Sequence, residues 1–233
     1  MESEREFENS KVKDRMVRGS QSKFYWATEI PTTQHQLDAY KAIEGATVIE
    51  IGCSDGRDAA EYTKHCEAYV GIDISDEAVA VATSRMLSNA KFICVDAHVL
   101  PFEDAEFDFV IVNSLLHHLD LKVAFFEISR ILKANGSLIY REPLGTNPFF
   151  QLYRHITPGA RTVDERPFSF SDLELMEQYF KLDKVNWFGF FSIISAFIQV
   201  DGVRSFLTKA DVLMSKTPLR YLFWQFSGVA EKK

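Results

Sequence analysis

The chain has 233 residues, 46% hydrophobic and 25% charged, enough to bury one substantial core and ordinary for a globular enzyme. Its formal net charge of −7, with no run of Lys or Arg longer than a pair, lacks the basic footprint that displaces counterions from nucleic acid. An odd count of three cysteines, Cys53, Cys66 and Cys94, points to reduced thiols and a cytoplasmic location.

Residues 1–33 are polar and charged until Phe24, Tyr25 and Trp26, and predict an arm whose aromatic end packs on the rest. The charged stretch from Met1 to Glu6 predicts no secretion signal. The spacing of Leu37, Tyr40 and Ile43 predicts a helix over 34–43. From residue 47 short apolar runs alternate with helical ones. Strands are predicted over 47–51, 68–72, 90–95, 107–112 and 137–140, and helices over 57–65, 76–88 and 121–133. Near-continuous runs such as Val48-Ile49-Glu50-Ile51 are the mark of buried parallel strands. The rhythm predicts an α/β fold: a doubly wound, mostly parallel sheet with right-handed crossovers.

Between Glu142 and Phe170 four prolines (Pro143, Pro148, Pro158, Pro167) interrupt the pattern, and the length suits a functional loop or lid. A helix to about residue 179 is predicted to start at Ser171, with Ser171-Asp172-Leu173-Glu174 as its capping box. Strands around 182–188 and 221–228 enclose an apolar helical segment. The longest apolar run, 187–200, is too short to span a bilayer.

The strongest local signal is Glu50-Ile51-Gly52-Cys53-Ser54-Asp55-Gly56, where an apolar strand ends in a tight turn that opens a helix. Glycine there lets a ligand approach the backbone, and the helix N-terminus beyond favours an anionic group. Dinucleotide enzymes want glycine at the first, third and sixth positions, but Ser54 and Arg57 stand at two of them. Small residues at Gly52, Ser54 and Gly56, preceded by the acid Glu50, fit an adenosylmethionine site. Asp73 ends the next strand about twenty residues on, where an acid accepts from ribose hydroxyls or, with Ser75, caps the following helix. Asp96 ends a third strand on the same edge.

Taken with Leu100-Pro101-Phe102, Asp108 and Leu115-Leu116-His117-His118-Leu119, this series resembles the class I methyltransferases of the UbiE and type 11 group, over residues 45–142. The resemblance implies a seven-stranded sheet of order 3-2-1-4-5-7-6, its last strand antiparallel, with helical lid elements, and S-adenosylmethionine as cofactor. It assigns the turn (Gly52, Cys53, Ser54, Gly56) to the methionine end, Asp73 to the ribose, Asp96 and Ala97 to the adenine, and Asn113 and Ser114 to the methionine end, with Ile74 also among the cofactor-binding residues. One domain is expected: an arm over 1–33, a cofactor-binding core over 34–142, and a cover from 143–170 and 187–210.

The acceptor is expected to be a small, apolar or amphipathic molecule, with O-methylation favoured. His117 and His118 are candidate bases for a hydroxyl acceptor, or a helix entry that belongs to the motif. Glu142 contacts acceptor or cofactor, or forms a salt bridge with Arg141 or Arg154; His155, with Tyr153 and Arg154, lies over the acceptor. No acid or Cys stands at metal-ligand spacing with the histidines, so no metal is expected. Of the 20 phenylalanines, Phe188, Phe190, Phe191, Phe197 and Phe206 cluster where a greasy pocket or a membrane-surface face is built. A lipid acceptor, peripheral membrane contact, the oligomeric state and a cofactor-binding protein without catalysis all stay open. A nicotinamide dehydrogenase fails on glycine spacing, and a DNA amino-methyltransferase fails because Asn113-Ser114-Leu115-Leu116 replaces Asn-Pro-Pro-aromatic.

Overall fold

The computed structural model describes residues 5, 6, 9, 22–147, 151, 155 and 166–233. Helices α1 (Ser22–Ala27) and α2 (Glu29–Ala42) lead into β1 (Thr47–Ile51), α3 (Ala59–Tyr62), β2 (Ala68–Asp73) and α4 (Asp76–Thr83). Then come β3 (Ala90–Cys94), β4 (Phe107–Asn113), α5 (Leu121–Ile131) and β5 (Leu132–Pro143). The chain closes with α6 (Phe170–Tyr179), β6 (Phe180–Phe188), α7 (Ser195–Ile198), α8 (Asp201–Met214) and β7 (Gln225–Lys232).

All seven strands form one sheet of order β3-β2-β1-β4-β5-β7-β6. Strands β1 to β5 run parallel, and β7 is antiparallel to both neighbours. The expected topology is the one found. Both faces are covered, which is why the strands read as unbroken apolar runs. On one face Val110, Val112, Leu138 and Tyr140 pack with Phe125 and Ile128 of α5 and Met176 of α6. On the other, Val48, Ile111 and Ile139 meet Ala39 and Ile43 of α2 and Tyr62 of α3. Helix α5 follows from its sequence: Leu121, Ala124, Phe125, Ile128 and Ile131 make one buried stripe, and the Asp120 carboxylate caps it by accepting from Lys122 N–H at 3.0 Å.

Several boundaries differ from expectation. The helix over 57–65 is only Ala59–Tyr62, because the Asn89 side chain takes the Thr63 and Cys66 carbonyls and the chain turns there. Helix α4 stops at Thr83, with Met86 in left-handed backbone just beyond. Helix α5 ends at Ile131, and β5 starts at once at Leu132, so it is much longer than 137–140. The cap of α6 is Ser169, not Ser171: its N–H and hydroxyl both donate to Asp172, which also takes a forked bond from Arg166. The final strand is 225–232, since Pro218 opens a 3-10 turn over Pro218–Leu222.

Candidate active site

The strand order reverses between β1 and β4, and the carboxyl ends of the parallel strands there open the crevice that α/β sheets use for ligands. After β1 the turn has Gly52 at φ +82°, Ser54 at +49° and Gly56 at +67°. The N–H groups of Gly52 and Cys53 both donate to the Ile72 carbonyl, at 2.8 and 2.9 Å, and tie the turn to β2. A Cβ on Gly52 would lie 2.9 Å from Leu115 Cδ2, and one on Gly56 2.9 Å from Ala82 Cβ. Glycine is needed at both for space as well as for φ. Ser54 stands in the same left-handed region at a cost of about 1–2 kcal/mol. Ser54→Gly is therefore expected to raise stability by about 0.5–1 kcal/mol after the glycine's extra unfolded-chain entropy; a urea midpoint at or below wild type would contradict it.

Asp73 closes the turn from β2: one carboxylate oxygen accepts from Ser54 N–H at 2.8 Å, the other from Ser75 N–H at 2.9 Å. Ser75 is the N-cap of α4, its hydroxyl accepting from Ala78 N–H at 3.0 Å. Next to Asp73, the Ile74 carbonyl accepts from Arg5 Nε at 2.9 Å. Asp96 Oδ1 accepts from the backbone and the Nδ1 of His98, at 2.9 and 2.7 Å, while His98 Nε2 accepts from Asp120 N–H at 2.9 Å. These bonds hold the Asp96 carboxyl below its usual range despite partial burial. Ala97, half-buried, packs against the core beside it. His98 was missed by sequence reasoning, although its place two residues after a ligand-edge acid was a usable signal.

Glu50 is buried, and the Tyr69 hydroxyl donates to its carboxylate in a very short hydrogen bond. Burial pushes the Glu50 carboxyl up to about 8, against the lowering pull of that bond. Burial also raises the Cys53 thiol far above its ordinary value, which leaves it neutral and unreactive. At the end of β4, Asn113 donates to the Tyr62 hydroxyl at 3.4 Å, and its Oδ1 is buried with no hydrogen-bond partner. Ser114 is left-handed at φ +55° and donates its N–H to the Arg141 carbonyl at 2.7 Å.

Glu142 is fully buried at the end of β5. Its Oε1 accepts from the N–H groups of Leu115 and Leu116, both at 2.9 Å, and its Oε2 lies 2.7 Å from His117 Nδ1. Among the described residues Arg141 does not pair with it; the salt-bridge expectation with Arg141 gives way to a carboxylate that anchors the 115–117 turn. An ionised carboxylate there accepts from His117 Nδ1–H, which in a neutral ring leaves Nε2 as the nitrogen without a proton. The His118 ring lies 4.2 Å from that of His117, centroid to centroid. His155 is exposed, and Tyr153 and Arg154 fall outside the described residues. Among the described residues no group of three His, Cys, Asp or Glu side chains is placed to hold a metal ion.

A cavity of about 440 Å³ opens between the first two helices and the sheet edge. Tyr25 and Trp26 of α1 form one wall, Thr28, Glu29, Thr32 and Gln36 another, and Arg141 the sheet side. Arg204 of α8 pins these walls: it donates to the Trp26 carbonyl at 3.1 Å, pairs with Glu29, and lies 4.3 Å over the Trp26 ring. Arg204 was not singled out from the sequence, and Arg141 only as a salt-bridge partner for Glu142, because each reaches this cavity through contacts far away in the chain.

A seven-stranded sheet of this order with a glycine turn at its reversal point is a Rossmann-like methyltransferase fold. Residues 49–140 match the family model described as "Methyltransferase domain". The chain is 32% identical over 104 residues to the O-methyltransferase rstn1 of Aspergillus nomiae, covering 42% of this chain and 46% of that one. It is 31% identical over 123 residues to the uncharacterized methyltransferase YcgJ of Bacillus subtilis, covering 51% and 44%. The chain thus spans somewhat less than half the length of these relatives. Among solved structures, YcgJ superposes with a TM-score of 0.61 at 18% identity, over 86% of this chain and 98% of that one. A chain from the complex between the Haloferax volcanii Trm112 methyltransferase activator and the putative methyltransferase gives 0.68 at 19%, over 96% of each. At such identities the likeness is one of fold.

One feature of the site fits S-adenosylmethionine, the cofactor the sequence points to. The orphaned Asn113 Oδ1, buried at the end of β4, is an acceptor suited to the ammonium of a methionine moiety.

Proposed function

We propose that the protein transfers a methyl group from S-adenosylmethionine to a small, apolar or amphipathic acceptor, with oxygen as the favoured target. The observation that carries this reading is the glycine turn clamped by Asp73 at the point where the sheet order reverses. In it Gly52, Cys53, Ser54 and Gly56 bed the methionine end, with Glu50 behind them and Asn113 and Ser114 opposite. Asp73 and Ile74 hold the ribose, and Asp96 and Ala97 the adenine. When bound, the cofactor supplies an electrophilic methyl group. The protein's part is to align the acceptor, exclude water and take up a proton, for which His117 Nε2 is the candidate, oriented by Glu142. His118 and His155 are the secondary candidates. The resemblance to proteins named O-methyltransferases supports oxygen as the acceptor atom.

Isothermal titration tests the reading. Adenosylmethionine and its demethylated product are expected to bind and NAD(P) is not; binding of a nicotinamide cofactor alone would sink it. Asp73→Ala should weaken cofactor binding about tenfold or more, as the loss of a charge-assisted hydrogen bond costs roughly 1.5–3 kcal/mol. Because Asp73 also ties down Ser54, Asp73→Asn and a thermal melt serve as controls, and an unchanged dissociation constant in folded variants would refute the ribose role.

A lipid or membrane-associated acceptor is the second reading. Phe197, Phe206 and Leu213 stand 70%, 71% and 69% exposed on α7 and α8, a large apolar face for a chain in water. No described helix is long and apolar enough to cross a membrane.

A further inference from the structure

We propose that the methyl acceptor carries a carboxylate and that Arg141 is the residue that grips it. The inference rests on the methyl-transfer reading and names the acceptor class of that same site. Arg141 sits in register with Asn113 in the neighbouring strand, and its carbonyl accepts from Ser114 N–H at 2.7 Å. Its side chain therefore leaves the sheet at the edge to which the methionine end of the cofactor is assigned. There it lines the cavity of about 440 Å³ beneath α1 and α2.

Arg141 is the cation that lines that cavity, and the nearby carboxylates are engaged elsewhere: Arg204 holds Asp201 at 2.8 Å as well as Glu29, the cavity's own acidic side chain. Among the described residues no carboxylate lies within ion-pair distance of Arg141, which is only partly exposed. A guanidinium half-withdrawn from water and left without an anion is costly, and a carboxylate matches its planar fork with two parallel hydrogen bonds. His35, packed nearby in α2, adds no second positive charge. Its burial and the Arg141 charge hold its imidazole down to about 4, against a weaker upward pull from Asp38. One cation suits a monoanion better than a dianionic phosphate. The aromatic faces of Tyr25 and Trp26 and the Thr28 and Thr32 side chains suit the apolar body of such an acid. The carboxylate is thus the handle that sets the orientation of the acceptor.

The test is isothermal titration of the chain loaded with S-adenosylhomocysteine, using decanoate and 4-phenylbutyrate, their methyl esters, and phenyl phosphate as probes. The acids are expected to bind about tenfold or more tightly than the esters, the worth of a charge-assisted pair. Arg141→Gln should erase that preference, Arg141→Lys should retain part of it, and both should bind S-adenosylhomocysteine as the wild type does. The proposal is overturned if no acid binds, if acids and esters bind alike, if phenyl phosphate outcompetes the acids, or if Arg141→Gln keeps the preference. Failure of S-adenosylhomocysteine to bind the wild type strikes the methyl-transfer reading instead, and the acid-against-ester comparison is then made on the unloaded chain.

Discussion

Replacing Glu142 by alanine is expected to lower the unfolding free energy by about 3–5 kcal/mol, the range for removing one partner of a buried charged cluster. The side chain is fully buried and satisfies the N–H groups of Leu115 and Leu116 as well as His117 Nδ1. Alanine strands all three donors away from water, and each unsatisfied group carries its own desolvation cost. Glu142→Gln separates the structural role from the chemical one. Its amide oxygen can still accept from both backbone groups, so urea unfolding should show only a modest loss. Its NH2 must face His117, which forces the imidazole proton onto Nε2 and removes the proposed base. Methyl transfer to a hydroxyl acceptor should then fall about 100-fold or more in kcat, with cofactor affinity unchanged. An active Glu142→Gln enzyme would leave His117 with no part in proton transfer.

The second large effect is a pH dependence of stability that traces to Glu50. Burial holds its carboxyl up to about 8, while in the unfolded chain it releases its proton near the ordinary 4.5. The folded state therefore binds one more proton than the unfolded state between those two values. Stability from this group is fully present below about pH 4.5 and is lost progressively as the pH rises to 8. Over that window the loss is up to about 5 kcal/mol, at 1.36 kcal/mol per unit. Other groups titrate in the same range, so the readout is the difference between wild type and Glu50→Gln, a variant with no proton to lose. Denaturant curves from pH 5 to 9 should show the variant gaining on the wild type by several kcal/mol, with the gap levelling above pH 8. A gap that stays constant with pH would show that the Glu50 carboxylate is ionised throughout.

What the amino-acid order determined by itself is the part of this protein that is local or periodic. The central parallel strands announce themselves because burial on both faces demands a near-continuous apolar run, as in Val48–Ile51 and Phe109–Val112. The stripe of α5 is equally plain, since Leu121, Phe125 and Ile128 fall at helical spacing beside the cap at Asp120. The glycine turn and the acids Asp73 and Asp96 were readable as candidates because each follows directly on an apolar strand whose end the sequence marks. Element ends were less legible: the break after Tyr62 depends on Asn89, which is nearly thirty residues away, and the cap of α6 on Arg166 joining Asp172. Tertiary structure alone decided how the polar groups pair. From sequence Glu142 was offered a neighbouring arginine, but β5 lies beside the 115–117 turn, and a buried carboxylate settles on the donors that the fold brings to it. Arg141 appeared only as a bystander. It lines a cavity whose own carboxylate, Glu29, is claimed by Arg204, a contact spanning 175 residues that no spacing rule encodes.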